Sequence, residues 1–140
     1  MKVIADEMIA SNIVKVINLV ALNENILLQS VQGSEFQGQQ DMDWIQAFAN
    51  AGGKGILSAD RKMLRKKTFI QEILKLGVTF IYLPHNWATS RINEQAAYLL
   101  FHWPQIQDTF KTKSKKSRIW LTPKGFAKSE FNDFQLKKKN

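Results

Sequence analysis

The sequence predicts an α/β domain built on a mostly parallel sheet of four to five strands, and three observations predict it. Short apolar runs recur at Val3-Ile4-Ala5, Ile26-Leu27-Leu28, Ile56-Leu57, Val78-Thr79-Phe80-Ile81-Tyr82 and Ile119-Trp120-Leu121. The fourth run, rich in β-branched and aromatic residues, is the clearest strand. Between the runs lie stretches with apolar residues at helical spacing. Strands and helices alternating at this spacing mean parallel strands, right-handed crossovers and helices on both faces of the sheet.

Each element has its own local reason. After the first strand, Ser11 or Asn12 can cap a helix whose Ile13, Val16, Ile17 and Val20 form one apolar stripe. Asn23-Glu24-Asn25 is a turn before the second strand. Residues 32–40 are Gly- and Gln-rich with almost no apolar content, so they form a loop. Asp41 opens the next helix, with Trp44, Ile45, Phe48 and Ala49 facing inward. Gly52-Gly53 then supplies a left-handed helix stop before the third strand. Thr68 and Gln71 have capping-box spacing for a helix through Ile70, Ile73 and Leu74, which Gly77 ends. Thr89 or Ser90 starts a long helix carrying Ile92, Ala96, Leu99 and Trp103, and Pro104 kinks or restarts it. Beyond the last strand, residues 124–140 read as a loose, basic C-terminal tail on a domain of residues 1–123.

The totals narrow the function. A chain of 140 residues with 44% hydrophobic content suits one domain with one core. There is no cysteine, which excludes disulfides, thiolate nucleophiles and Cys-based zinc sites and fits a reducing compartment. Acids appear too early for a signal peptide, and no apolar run reaches a membrane span, so a soluble, cytoplasmic protein is expected. The net charge of +8 is clustered. Arg61, Lys62, Arg65, Lys66 and Lys67 form one group; Lys111, Lys113, Lys115, Lys116 and Arg118 form another; Lys137, Lys138 and Lys139 form a third. A polyanion, most simply RNA or another nucleic acid, is the natural partner.

The acids are concentrated too. Asp6-Glu7 ends the first strand, Asp41 and Asp43 open the second helix, and Asp60 follows the third strand. In open α/β sheets, ligands bind beyond the carboxyl ends of the strands. Taken singly, Asp41 and Asp60 read as helix caps and Asp43 as a first-turn acid favoured by the helix dipole. Taken together, the acids meet on one sheet edge, where their repulsion calls for a divalent cation. Carboxylate oxygens are the donors that Mg²⁺ and Mn²⁺ prefer.

These residues resemble a family. Asp6-Glu7 after a first strand, Asp41-Met42-Asp43-Trp44-Ile45, and Ile56-Leu57-Ser58-Ala59-Asp60-Arg61 look like the PIN-like domains, closest to the toxin-type branch of the VapC class. Motifs carry the resemblance over residues 2–85, and element order carries the rest. It implies a three-layer αβα fold and a metal-dependent ribonuclease, the toxin of a toxin–antitoxin pair. Asp6, Asp41 and Asp60 would be the catalytic acids of an Mg²⁺ or Mn²⁺ site, with Glu7 and Asp43 as adjacent ligands and Ser58 in support. Arg61, Lys62, Arg65, Lys66, Lys67, Lys113, Lys115 and Lys116 would hold the RNA backbone. A cognate antitoxin protein and a homodimer are the partners implied. Many members carry a fourth acid after the third; here Arg61 and Lys62 stand there, and Glu94 is the later acid on offer.

Two alternatives remain open in the sequence. One is a PIN-like RNA-binding module without catalysis, because the acid set is short of one member. The other is a receiver-type phosphoacceptor domain, which also has an acidic pair after its first strand and an Asp after its third. Thr89 and Lys124 would serve as its switch Thr and its Lys. That reading leaves Asp41 and Asp43 without a role. Gly52-Gly53-Lys54-Gly55 lacks the spacing of a phosphate or dinucleotide loop. His85 and His102 read as structural or surface residues, and the four tryptophans as core or interface.

Overall fold

The computed structural model describes residues 1–21, 25–113 and 118–134. Six strands form one sheet in the order β2-β1-β3-β4-β5-β6. They are β1 (Lys2–Ala5), β2 (Leu27–Ser30), β3 (Gly55–Ser58), β4 (Thr79–Tyr82), β5 (Ile119–Leu121) and β6 (Asn132–Asp133). The first five are parallel, and β6 runs antiparallel to β5. The α/β architecture expected from the alternation is present, with one strand more than the sequence indicated.

Side-chain alternation along the strands builds two apolar layers. Val3, Ala5, Leu57 and Ile81 meet helices α1 (Ser11–Val20) and α4 (Ile92–Asp108) on one face. Ile4, Ile56, Phe80 and Tyr82 meet α2 (Asp41–Asn50) and α3 (Lys67–Lys75) on the other. Strands covered on both faces must be apolar throughout, and every residue of β3 and β4 is buried. The result is a three-layer αβα sandwich. Among the described residues no helix is long and apolar enough to cross a membrane.

The helix stop before β3 forms as its glycines require. Gly52 sits at φ +92°, its amide donating to Ala49 O, while the Gly53 amide reaches back to Phe48 O at 2.9 Å. That pair of bonds satisfies the last carbonyls of α2 and turns the chain directly into β3.

Several local expectations give way to tertiary context. Neither Ser11 nor Asn12 caps α1: Ala10 holds the N-cap position, and the Ser11 amide is instead satisfied by the Gln32 side chain. Thr68 lies inside α3, which begins at Lys67 and has no side-chain cap. The Thr89 and Ser90 hydroxyls bond to Asn86 O in a turn ahead of α4, which starts at Ile92. Helix α4 runs through Pro104 and passes into a π-helical turn, Thr109–Lys113.

Of the expected tail after residue 123, residues 124–134 are described. Phe131 is buried in the α1/α4 layer, and β6 pairs with β5. A two-residue polar strand carries no periodicity of its own, so only the β5 edge could specify it. Lys115, Lys116 and Lys137 to Lys139 fall outside the described residues, and Lys113 closes the π-helical turn.

Candidate active site

The site lies beyond the carboxyl ends of β1, β3 and β4. Asp6 is the first residue after β1, and its amide continues the ladder by donating to Leu57 O. Its side chain therefore enters between β1 and β3 and is 2% exposed. One carboxylate oxygen accepts from the Met8 amide at 3.1 Å; the other accepts from the Ser58 hydroxyl and the Ala59 amide. Burial pushes the Asp6 carboxyl up to about 6, against these three hydrogen bonds, with a smaller upward push from Asp60.

Ser58 is the fully buried last residue of β3. Its hydroxyl donates to Asp6 and accepts from the Asp60 amide at 3.0 Å. The supporting residue expected from the motif thus bridges the first and third acids. Asp60 is half-buried, and its Oδ1 accepts from the Lys62 amide at 3.1 Å. It therefore caps the 3-10 turn Arg61–Arg65 as well as facing the cleft.

Asp41, the first residue of α2, is exposed and accepts from the Trp44 indole N–H at 3.2 Å. Asp41 and Asp60 line one open cleft of about 560 Å³, with Lys62, Met63, Lys66 and Phe69. All three aspartates lie on the same edge of the sheet. Burial, and then the charges of Asp6, Asp60 and Asp41, hold the Tyr82 hydroxyl well above the usual phenol range. Tyr82 ends β4, is fully buried, and donates to Met63 Sδ at 3.6 Å. Sequence reasoning placed Tyr82 only in a strand. Its signal was its position as the last residue of a parallel strand on the α2/α3 face.

Other expected residues are drawn elsewhere. The Glu7 carboxylate accepts from the Gly38 amide, and its backbone carbonyl accepts from the Gln32 side chain. Glu7 thus lines a separate recess with Ser11, Gln32, Gly33 and Gln37. Asp43 is exposed in the first turn of α2 and does not line the cleft. Glu94 lies on α4, beside Arg91 at 4.0 Å, in yet another recess. Among the described residues, no three His, Cys, Asp or Glu side chains gather into one metal-holding group.

Arg61 is not a free cation for a phosphate. Its Nε donates to Leu83 O at 2.7 Å and its Nη2 to Thr122 O at 3.1 Å, tying the turn after β3 to the ends of β4 and β5. Arg118 similarly donates to Gly77 O. Lys62 and Lys66 reach the cleft, and Arg65 and Lys67 are exposed beside it.

An αβα sandwich on a mostly parallel sheet is consistent with the fold of PIN-like domains. The family model described as PIN like domain matches residues 1–85, and the chain belongs to that family. The match spans every acid discussed except Glu94 and leaves the receiver-type reading without support. No curated protein and no solved structure matches the chain.

Proposed function

We propose that this PIN-like chain is a metal-dependent endoribonuclease, the toxin component of a toxin–antitoxin pair acting in the cytoplasm. The observation that carries the nuclease reading is the bridge from Asp6 through Ser58 to Asp60, beside a cleft shared by Asp41, Lys62 and Lys66. Asp41 and Asp60 present hard carboxylate oxygens to a solvent-open cleft, which suits Mg²⁺ or Mn²⁺ because those ions retain several waters. Such an ion would be held by Asp41 and Asp60, with Asp6 behind them, and would supply Lewis-acid polarisation of a phosphodiester and activation of water. Ser58 holds Asp6 in place, and Lys62 and Lys66 bind the RNA backbone. Met63 lines the cleft and is held from behind by the Tyr82 hydroxyl. The toxin assignment, with a cognate antitoxin protein and a homodimer, rests on the motif resemblance alone.

A second reading, an RNA-binding module without catalysis, is favoured by one observation: Glu7 turns to Gly38 while Asp60 is used as a cap. Calorimetry with Mn²⁺, run beside a cleavage assay on single-stranded RNA, separates the two. The nuclease reading expects Mn²⁺ binding that Asp60→Asn weakens, and cleavage that the same variant and EDTA both abolish while RNA affinity persists. Absence of Mn²⁺ binding at millimolar metal, with RNA affinity intact, selects the binding module.

A further inference from the structure

A second recess opens on the same edge of the sheet, on the α1/α4 side. It is a slot of about 140 Å³ between the β4–α4 loop and the segment after β5. Trp87, Tyr98 and Phe126 give it aromatic walls, and Asn86, Ser90 and Glu94 give it polar edges. Trp87 and Tyr98 are buried and fixed, whereas Phe126 is 54% exposed at the mouth. The Phe126 ring meets Tyr98 edge-on at 6.2 Å and Phe101 at 5.6 Å, so it has a set orientation.

Both walls are tied to α4. The Gln95 side-chain amide donates to the carbonyls of Trp87, Ala88 and Ser90, and the Trp87 indole N–H donates to Gln95 O. On the opposite side the Tyr98 hydroxyl donates to Pro123 O, and His102 Nε2 lies 2.7 Å from Gly125 O. A slot held this way exists before any ligand arrives, which spares the ordering cost of binding.

We propose that this slot is a nucleobase-binding subsite for the RNA strand that lies in the Asp60 cleft. The inference rests on the ribonucleic-acid reading above. A slot of this size takes one planar ring and not a peptide segment. The exposed Phe126 ring offers a stacking face backed by Tyr98 and Trp87, and single-stranded RNA is read by such stacking together with polar contacts to the base edge. Arg91 and Lys124, both exposed at the rim, are placed for the flanking phosphates. Arg61 connects the two recesses: its neighbour Asp60 lines the cleft, while its own guanidinium bonds Thr122 O, close to Tyr98. The cleft and the slot lie on opposite faces of the sheet, so a strand occupying both would pass over the carboxyl edge at Arg61. Glu94 selects the base. Its ion pair with Arg91 is long and exposed, so the carboxylate is available to accept hydrogen bonds. Guanine presents N1–H and the 2-amino group side by side, the arrangement a carboxylate accepts best. Uracil presents one N–H flanked by two carbonyl oxygens, which a carboxylate repels.

The test uses the full chain without metal and the four nucleoside 5′-monophosphates, followed by NMR shifts of the Trp87 indole and the Gly125 and Phe126 amides. GMP should shift these signals and UMP should not. Phe126→Ala should weaken GMP about tenfold or more, as expected for losing one stacking contact. Glu94→Gln should reduce the preference for GMP over UMP, and an undiminished preference would remove Glu94 from base selection. Both side chains are exposed, and an unchanged melting temperature confirms intact folding. If no nucleotide shifts these signals at millimolar concentration, and Phe126→Ala binds RNA like the parent, the subsite is disproved even where ribonuclease activity is strong. If an oligo-arginine peptide occupies the slot and nucleotides do not, the slot is a protein-docking site and the proposal fails. If GMP binds as described but RNA is neither cleaved nor held in the cleft, the subsite stands and the ribonuclease reading falls.

Discussion

The Ser58 hydroxyl donates to the buried Asp6 carboxylate across a sequence separation of 52 residues. The same hydroxyl accepts from the Asp60 amide at 3.0 Å and so fixes where the third aspartate starts. Ser58→Ala removes a buried partner from both groups. It should destabilise the fold by about 1–3 kcal/mol, the cost of leaving a buried acceptor short of a donor. The Asp6 carboxyl should also titrate at still higher pH, because a hydrogen bond that favours its charged form is gone. Urea unfolding and an NMR titration of Asp6 read the two effects. A Ser58→Ala protein with parental stability and an unmoved Asp6 would remove the bridge from the argument.

Asp6 makes stability depend on pH in a direction opposite to most carboxylates. Its folded-state value, about 6, lies above the usual 3.8 because it is buried. The folded chain therefore binds this proton more tightly than the unfolded chain. Its contribution is fully present below about pH 4 and is lost as pH rises through 6, by on the order of 3 kcal/mol. In metal-free buffer, Asp6→Asn should be more stable than the parent at pH 7.5 and should lose that advantage by pH 4.5. Comparing the two proteins cancels the titration of every other acid. Parallel stability–pH curves for the two would contradict the burial argument.

Arg61 and its lysine neighbours should separate cleanly. Arg61→Ala breaks charge-assisted bonds to Leu83 O and Thr122 O and should cost about 1–3 kcal/mol. Lysine should rescue it poorly, because an ammonium cannot span the two carbonyls as a guanidinium does. Lys62→Ala with Lys66→Ala should leave stability within about 0.5 kcal/mol. That double variant should weaken RNA binding and lower the salt slope by about 0.7 for each lost phosphate contact. Thermal melts and RNA titrations at several salt concentrations check both. A double-lysine variant that melts early but binds RNA normally would reverse these roles.

Gly55 begins β3 where a Cβ would lie 2.7 Å from the Phe110 ring and 3.1 Å from a Val3 methyl. Phe110 is fully buried and has nowhere to move. Gly55→Ala should therefore cost about 1–3 kcal/mol through overpacking. Gly52 has open space around its Cα but a φ of +92°. Gly52→Ala should cost about 1 kcal/mol through backbone strain alone. Denaturant melts of the two variants test the order, and equal losses would mean that packing at Gly55 relaxes.

The alternation of strands and helices, the Gly52 stop and the shared edge of Asp6, Asp41 and Asp60 were legible in the sequence. Each is a local property: periodicity, turn chemistry and position at a strand or helix end fix them within a few residues. Whether neighbouring acids face the same way was not legible. Asp6 enters the fold while Glu7 turns to Gly38, because backbone direction reverses between adjacent residues and each carboxylate takes the donors it meets. Arg61 follows the Asp60 motif and reads as an RNA cation, yet carbonyls 22 and 61 residues away claim it. The β6 strand, the bond from the Tyr82 hydroxyl to Met63 and the Trp87–Phe126 slot have the same origin. The sequence by itself determined which residues lie on the site's edge of the sheet. Only the tertiary structure decided which of them face the cleft, because a polar side chain's orientation is set by partners that segments distant in sequence supply.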